Sequence, residues 1–286
     1  MRSQKQYKRT FSCEFFPPTN DDGAINLRRT REQLIALSPA FFSVTYGAGG
    51  TTRNRTFEAV LEIQHDGRVG AAPHLTCIAS TRKQVAAILK LYATNGIQRI
   101  VALRGDMPSG LQGAGELHHA NDLVGFIRSE TDEHFHIEVA AYPESHPQSS
   151  TISKDLAHFK RKVEAGANSA ITQYFYNADA YFRFIDNCEK LGINVPIVPG
   201  IMPITNYKQL ARFSSVCGAE IPRWIRQHLE SFGDDLDSIR AFGEEIVTDL
   251  CQRLLEQGAP GLHFYTMNRA EPTLAIWRNL GLPLEV

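Results

Sequence analysis

The sequence predicts an α/β fold, a (β/α)8 TIM barrel with extra helices inserted before the last strand. Three observations carry that expectation. Short β-rich runs alternate with longer segments of helical period about eight times along the 286 residues. Several of these runs are almost continuously apolar, as strands buried on both faces are. No Pro/Gly/Ser-rich linker interrupts the rhythm, so residues 1–286 read as a single barrel domain. Repeated strand-then-helix units build a parallel sheet with right-handed crossovers. Between an open doubly wound sheet and a closed barrel, the repeat count favours the barrel.

Taken in order, the first strand begins near Phe11 (FSCEFF) and is followed by a helix over Asn26–Leu37. A strand near Phe41 (FFSVT) leads to Thr52–His65, and one near Ala72 (APHLTC) leads to Arg82–Asn95. Gln98 (QRIVAL) precedes Asn121–Glu130, and Ile137 (IEVAAY) precedes Ile152–Ala165. Ser169 (SAITQYF) precedes Ala178–Leu191, after which strands begin near Val195 (VPIVPG) and Gly261 (GLHFYT). Gly96, Gly166 and Gly192 each end a helix before a strand, where a glycine C-cap belongs. From Gly200 to Gly261 only helical material is expected, over Tyr207–Ser215, Pro222–Glu230 and Leu236–Glu256.

Hydrophobic residues make up 43% and charged residues 21%, ordinary for a globular chain with a substantial core. Thirty Lys+Arg against 31 Asp+Glu give a net charge of -1, which argues against a global basic field for nucleic acid or an anionic membrane. The five cysteines are scattered without a CxxC pair, so neither a disulfide framework nor a zinc knuckle is expected. MRSQKQYKRT is basic with no apolar stretch behind it, and no run approaches the ~18 apolar residues of a membrane span. The expectation is a cytoplasmic protein.

Active sites of such barrels lie at the C-terminal ends of the strands. There the sequence places Glu14, Thr45, His74, Arg104-Gly105-Asp106, Tyr142, His146, Gln173 and Arg269. Glu14 stands among Cys13, Phe15 and Phe16, so desolvation is expected to raise its pKa and keep it a neutral proton donor. The blander reading is a strand-end carboxylate satisfied by a neighbouring arginine or a backbone amide. Asp106 can meet a ligand beside Gly105, or simply pair with Arg104 to fix the loop. The Gly47–Thr52 run between a strand and a helix can form an anion nest, although it is neither GxGxxG nor a P-loop.

On the helix after the fifth strand, Leu156, Phe159 and Val163 share a core face, and Asp155, His158 and Lys162 share a polar stripe with Arg161 adjacent. Lys160-Arg161-Lys162 reads either as a solvated face or, with Tyr142 and His146 upstream, as cationic and aromatic contacts for a phosphorylated cofactor. The ten histidines have no zinc spacing, and HExxH, GxSxG and a strand-end lysine are absent, which lowers metal and covalent catalysis.

Nine segments in order resemble the methylenetetrahydrofolate reductase family in its short bacterial form. They are CEFFPP (13–18), SVTYGAGG (43–50), APHLTCI (72–78), IVALRGD (100–106), AAYPESHP (140–147), KRKVEAGA (160–167), AITQYFY (170–176), PGIMPI (199–204) and HFYTMNRAE (263–271). The resemblance implies an FAD-dependent barrel enzyme of one-carbon metabolism that feeds methionine synthesis. NADH or NADPH would reduce the flavin, which would then reduce methylenetetrahydrofolate in a ping-pong cycle. Bacterial relatives incline the expectation to NADH.

By the same resemblance, Glu14 and Asp106 match the catalytic acid and the aspartate near the flavin. Gln173, Gln209, Phe213 and Arg269 match substrate-binding positions. Thr45, His74, Arg104, Gly105, Asp106, His119, Ala120, Ala140, Tyr142, His146, Asp155, His158, Arg161 and Lys162 match flavin contacts. His119 stands where relatives carry Tyr, and His158 where an Asn occurs, both still able to hydrogen-bond or stack. A homo-oligomer, dimer or tetramer, is implied, with folate and a nicotinamide dinucleotide as partners and neither nucleic acid nor membrane. The competing expectations are a flavin-free phosphate-binding barrel lyase or transferase using Gly47–Thr52, and a non-catalytic binding barrel.

Overall fold

A computed structural model describes residues 1–46, 50–105 and 115–285. Its strands are β1 (Thr10–Phe15), β2 (Phe41–Val44), β3 (Gly70–Thr76), β4 (Arg99–Leu103), β5 (His136–Ala141), β6 (Ser169–Thr172), β7 (Ile197–Val198), β8 (Gly200–Ile201) and β9 (Gly261–Tyr265). Every pairing is parallel, in the order β7-β6-β5-β4-β3-β2-β1-β9-β8. β7 and β8 are halves of one strand parted at Pro199, the first paired with β6 and the second with β9. The ring is therefore nearly closed, and the expected eight staves are present.

The split has a local cause. Proline lacks the amide that a ladder needs, and beyond it the Gly200 N–H donates to the Thr172 hydroxyl at 2.9 Å instead of to a backbone carbonyl. A side chain at Gly200 would put its Cβ 2.2 Å from Thr172 O and 2.6 Å from the Tyr265 ring, so only glycine fits this seam. The strand reaches Ile201, so the strand-free interval is slightly shorter than expected.

Ten helices surround the ring among the described residues: α1 (Asp21–Leu34), α2 (Gly50–Asp66), α3 (Arg82–Thr94), α4 (Ala120–Thr131), α5 (Ile152–Glu164), α6 (Ala178–Lys190), α7 (Tyr207–Cys217), α8 (Arg223–Ser231), α9 (Leu236–Gln257) and α10 (Glu271–Asn279). α1 begins five residues before its expected start. Its first turn, Asp21-Asp22-Gly23, has no apolar period, but the Asn20 side chain accepts the Gly23 N–H at 2.8 Å and the two aspartates suit a helix N-terminus. Among the described residues, no helix is long and apolar enough to cross a membrane.

Period-two alternation sorts the strand residues into two cores. Cys13, Phe15, Phe42, Val44, Leu75, Ile100, Val139 and Phe264 point outward into the layer beneath the helices. Phe41, Ala72, Val101 and Ile171 pack inside the ring, with Leu103 against them. Glu14, His74, Ala140 and Tyr265 stand at the mouth, and Arg99, His136 and Glu138 stand at the floor.

Candidate active site

A cavity of about 350 Å³ opens at the mouth, lined by Glu14 from β1, His74 from β3, Ala140 and Tyr142 at the end of β5, Gln173 after β6, and Tyr265 from β9. Phe213, Val216 and Cys217 of α7 form one wall. Of the three inserted helices, α7 alone covers this cavity. A second cavity of about 440 Å³ shares Leu103, Ala140 and Tyr142 with the first. Together the two form one cleft across the C-terminal end of the barrel.

Glu14 heads the first cavity with its side chain 13% exposed. The structure corrects the expected neutral acid. Burial pushes its carboxyl up, but the charge of His74 and contacts from His263 and His74 outweigh burial and hold it at about 2. His263 Nε2 lies 3.5 Å from Glu14 Oε2, and His263 Nδ1 lies 2.7 Å from the Ser12 hydroxyl. His74 Nε2 is 3.1 Å from the same carboxylate oxygen, yet it is buried without an aligned hydrogen-bond partner. Glu14 faces the cavity, contrary to what a purely structural ion pair requires.

The backbone beside Glu14 is clamped from the end of β9. Thr266 Oγ1 donates to Glu14 O at 2.7 Å. The Asn268 side chain accepts the Phe16 N–H at 2.9 Å and donates to Phe16 O at 3.0 Å. Met267 and Asn268 hold φ of 52° and 55°, left-handed values that these contacts stabilise.

The second cavity collects the polar stripe of α5. Asp155, His158 and Lys162 line it with Arg104, Gly105, His119, Ala120 and His146. The Lys160–Lys162 run divides by helical angle. Lys160 pairs outward with Glu164 at 3.5 Å, exposed Arg161 contacts His158, and Lys162 turns inward. The Lys162 ammonium donates to Ala140 O and lies 5.8 Å from the Tyr142 ring centroid. Burial lowers its pKa to about 8, with Asp155 opposing the shift. Arg104 donates to Gln148 Oε1 at 2.7 Å, while the Asp106 of the expected local pair lies outside the described residues. The first turn of α4, Ala120 and Asn121, also faces this cavity.

The residues of this cleft suit a phosphorylated ligand with a ring system. Lys162, Arg104 and the α4 N-terminus supply positive potential for a pyrophosphate. Tyr142 and His74 border the space where a ring system would lie. Gly105, with φ of 87°, keeps the wall open, since a Cβ there would press within 2.9 Å of Ile78 and Thr76.

Four expected positions stand apart from the cleft. Thr45 follows β2, and its N–H donates to Phe15 O at 2.9 Å. Gln209 is exposed on the first turn of α7. Arg161 points outward, as described. Arg269 lines a separate groove of about 630 Å³ with Arg29 and Arg240, between α1 and α9, which meets the mouth cavity at Met267. Asp106 lies outside the described residues, as do Gly47, Ala48 and Gly49 of the glycine run. The sequence alone singles out neither Ser12 nor His263, which face inward from β1 and β9. The available signal was the register that sets Ser12 beside His263 and Glu14 beside Tyr265.

The family model of methylenetetrahydrofolate reductase matches residues 1–281. The chain is 43% identical to the 5,10-methylenetetrahydrofolate reductase of Salmonella typhimurium over 95% of its length and 90% of that protein's. It is 39% identical to methylenetetrahydrofolate reductase (NADH) 1 of Arabidopsis thaliana, covering 97% of this chain and 49% of that one. Among solved structures, a Clostridium thermocellum protein described as binding two copies of 5-methyl-5,6,7,8-tetrahydrofolic acid superposes with a TM-score of 0.63 at 16% identity, covering 98% and 96% of the two chains.

Proposed function

The chain belongs to the methylenetetrahydrofolate reductase family, and from that premise we propose the route by which it reduces methylenetetrahydrofolate to methyltetrahydrofolate. FAD, held in the cleft by the residues named below, would supply the hydride chemistry that links NADH, or NADPH, to the folate in a ping-pong cycle. The observation that carries this reading is the single cleft in which a carboxylate, a cationic seat and a ring-sized space share Leu103, Ala140 and Tyr142.

In this reading Lys162, Arg104 and the α4 N-terminus hold the pyrophosphate, and His119, His146, Asp155 and His158 border the remainder of the dinucleotide. Gln173 presents a donor and an acceptor to the pterin edge, and Phe213 packs against the folate's aromatic ring from α7. Arg269, with Arg29 and Arg240 beside it, receives the carboxylate end of the folate in the adjoining groove. Glu14 delivers the proton that lets the bridged C–N bond open, leaving an electrophilic iminium at the carbon that accepts hydride. Asp106, Thr45, Gln209 and Arg161 remain candidate contacts by resemblance.

Residues 1–286 act as one catalytic domain in the cytoplasm, assembled as a homo-oligomer, in this proposal. The flavin-free lyase or transferase alternative depends on the Gly47–Thr52 run, and no described contact favours it. The test separates the two half-reactions of the Glu14→Gln enzyme. Folate reduction should be lost while NADH still bleaches a visible flavin spectrum at nearly the normal rate. Equal loss of both half-reactions removes Glu14 from the acid role, and a colourless protein that FAD cannot reconstitute removes the flavin route.

A further inference from the structure

Helix α7 forms one wall of the mouth cavity, yet little of it is packed. Of its 11 residues only Leu210 and Ser214 are buried, while Phe213, Val216 and Cys217 face the cavity. A helix with so few buried contacts has little local stability, so its placement falls to the ties at its ends. At the N-terminal end Tyr207 and Lys208 reach the exposed Glu230 and Asp234, which join α7 to α8 and the turn after it rather than to the barrel. The ties to the barrel are at the other end. The Tyr174 hydroxyl, just after β6, lies 3.0 Å from Ser214 Oγ and accepts from Cys217 Sγ at 3.4 Å. Gly218 ends the helix at φ of 76°, and a Cβ there would stand 2.5 Å from Pro147 Cγ. Two residues on, the Glu220 N–H donates to Glu144 Oε2 at 2.8 Å.

Glu144 and Pro147 belong to the loop after β5, and that loop has two sides. Tyr142, His146 and Gln148 line the second cavity. This side has ties of its own, from the His146 N–H to Asp155 Oδ2 at 3.0 Å and from Arg104 to Gln148 Oε1 at 2.7 Å. Between Glu144 and His146 the Ser145 backbone takes φ of 77°, a left-handed turn that sends the two neighbours to different sides. The side carrying Glu144 meets α7 across a gap of about 10 Å³, so no solvent layer separates loop from helix. We propose that Glu144 is a positioning residue for folate reduction, which by holding the Glu220 amide sets α7 where Phe213 packs against the folate ring. The proposal rests on the reading of Phe213 as a folate contact. Glu144 does not itself line the mouth cavity.

The carboxyl can serve in either charge state, because an oxygen lone pair stays available to the amide. Burial pushes it up to about 6, opposed by the Glu220 N–H and by Arg183 of α6, while the charge of Glu220 adds to the rise. Tyr174 and Cys217 border the same gap. Glutamine keeps the accepting oxygen without the charge, whereas alanine leaves the Glu220 amide without its partner.

Holoenzyme kinetics combined with FAD titrations test the proposal. Glu144→Ala should raise the KM for methylenetetrahydrofolate about tenfold, the effect of losing one hydrogen bond at a buried amide, with kcat nearly unchanged. Glu144→Gln should restore the wild-type KM. In both variants the Kd for FAD and the nicotinamide half-reaction should stay nearly unchanged, because the cofactor side of the loop keeps its own ties. Gly218→Ala, which wedges Pro147 away from the helix end, should raise the same KM by a second route, and it keeps the test decisive if Glu144→Ala fails to fold. A folate KM unmoved in the variants that fold overturns the proposal. A Glu144→Gln enzyme as impaired as Glu144→Ala overturns it as well, and so do equal losses of folate and FAD affinity, which a merely structural role would give. Phe213→Ala separates the underlying reading from the proposal. An unmoved KM in that variant removes Phe213 from the folate site, whereas a raised KM there beside unmoved Glu144 variants removes only the positioning role.

Discussion

Replacing Lys162 with methionine should make the flavin-free protein more stable and the flavin-bound protein harder to form. The Lys162 ammonium is buried at the inner end of the second cavity, where burial lowers its pKa from 10.5 to about 8. A depression of that size means that holding the charge in the folded state costs about 3 kcal/mol at pH 7. Methionine fills a similar volume but abandons the hydrogen bond to Ala140 O, a loss of about 1 kcal/mol. The net gain is about 2 kcal/mol, a rise in Tm of roughly 4–8 °C for a domain of this size.

The sign with pH follows from the direction of the shift. The penalty is fully present below about pH 8 and fades as the pH climbs toward 10.5, so the advantage of Lys162→Met should shrink at pH 10. The cost appears in binding. Removing one charge-assisted contact to a phosphate gives up about 1.5–3 kcal/mol, or a Kd for FAD weaker by roughly 10- to 150-fold. Paired thermal melts of apoprotein at pH 7 and pH 10, with FAD titrations by fluorescence quenching, measure both halves. An apo variant that melts below the wild type at pH 7, or an FAD affinity left unchanged, refutes the assignment of Lys162 as a strained cationic seat.

Gly105→Ala should destabilise the fold by about 1–3 kcal/mol and weaken FAD binding, because φ there is 87° and the new Cβ would meet Ile78 and Thr76 at 2.9 Å; chemical denaturation and FAD titration read the two effects. Glu144→Gln should behave in the opposite sense. Burial raises the Glu144 carboxyl from 4.5 to about 6 while it accepts the Glu220 N–H at 2.8 Å, an acceptor that glutamine retains. The wild type therefore keeps its full stability below pH 4.5 and loses about 1–2 kcal/mol as the pH rises through 6. Melts at pH 4 and pH 8 should show the variant ahead only at pH 8.

The strands were legible because each presents apolar residues to both cores, and the start of α1 was not, because a polar first turn carries no period. VPIVPG reads as one run in sequence, and only the pairing shows that Pro199 divides it between β6 and β9. The site was legible as far as the strand-end rule reaches, which located Glu14, His74, Arg104, Tyr142 and Gln173. Its electrostatics were not. The apolar neighbours Cys13 and Phe15 that made Glu14 look like a neutral acid point to the opposite face of β1 and pack under the helices. The side chains that set its charge come from β3 and β9. In a strand, adjacency in sequence is opposition in space, so the flanking residues describe the wrong environment. The same geometry hid Ser12 and His263.

Glu14, His74 and His263 form one polar cluster inside the ring, at the mouth. A floor cluster exists as well: Glu138, 3% exposed, pairs with Arg99, and the Ser169 hydroxyl lies 2.6 Å from His136 Nε2. Were the two clusters joined, protons at the mouth would equilibrate with solvent through the opposite end of the barrel. Between them lies the apolar waist of Phe41, Ala72, Val101 and Ile171, all less than a tenth exposed. Phe41 packs against both clusters, its ring stacked 6.0 Å from the His263 ring and 4.5 Å from the Arg99 guanidinium. An aromatic ring packs against both groups yet offers neither of them a proton acceptor in its plane. The waist thus separates a polar floor that ties β4, β5 and β6 together from the polar mouth.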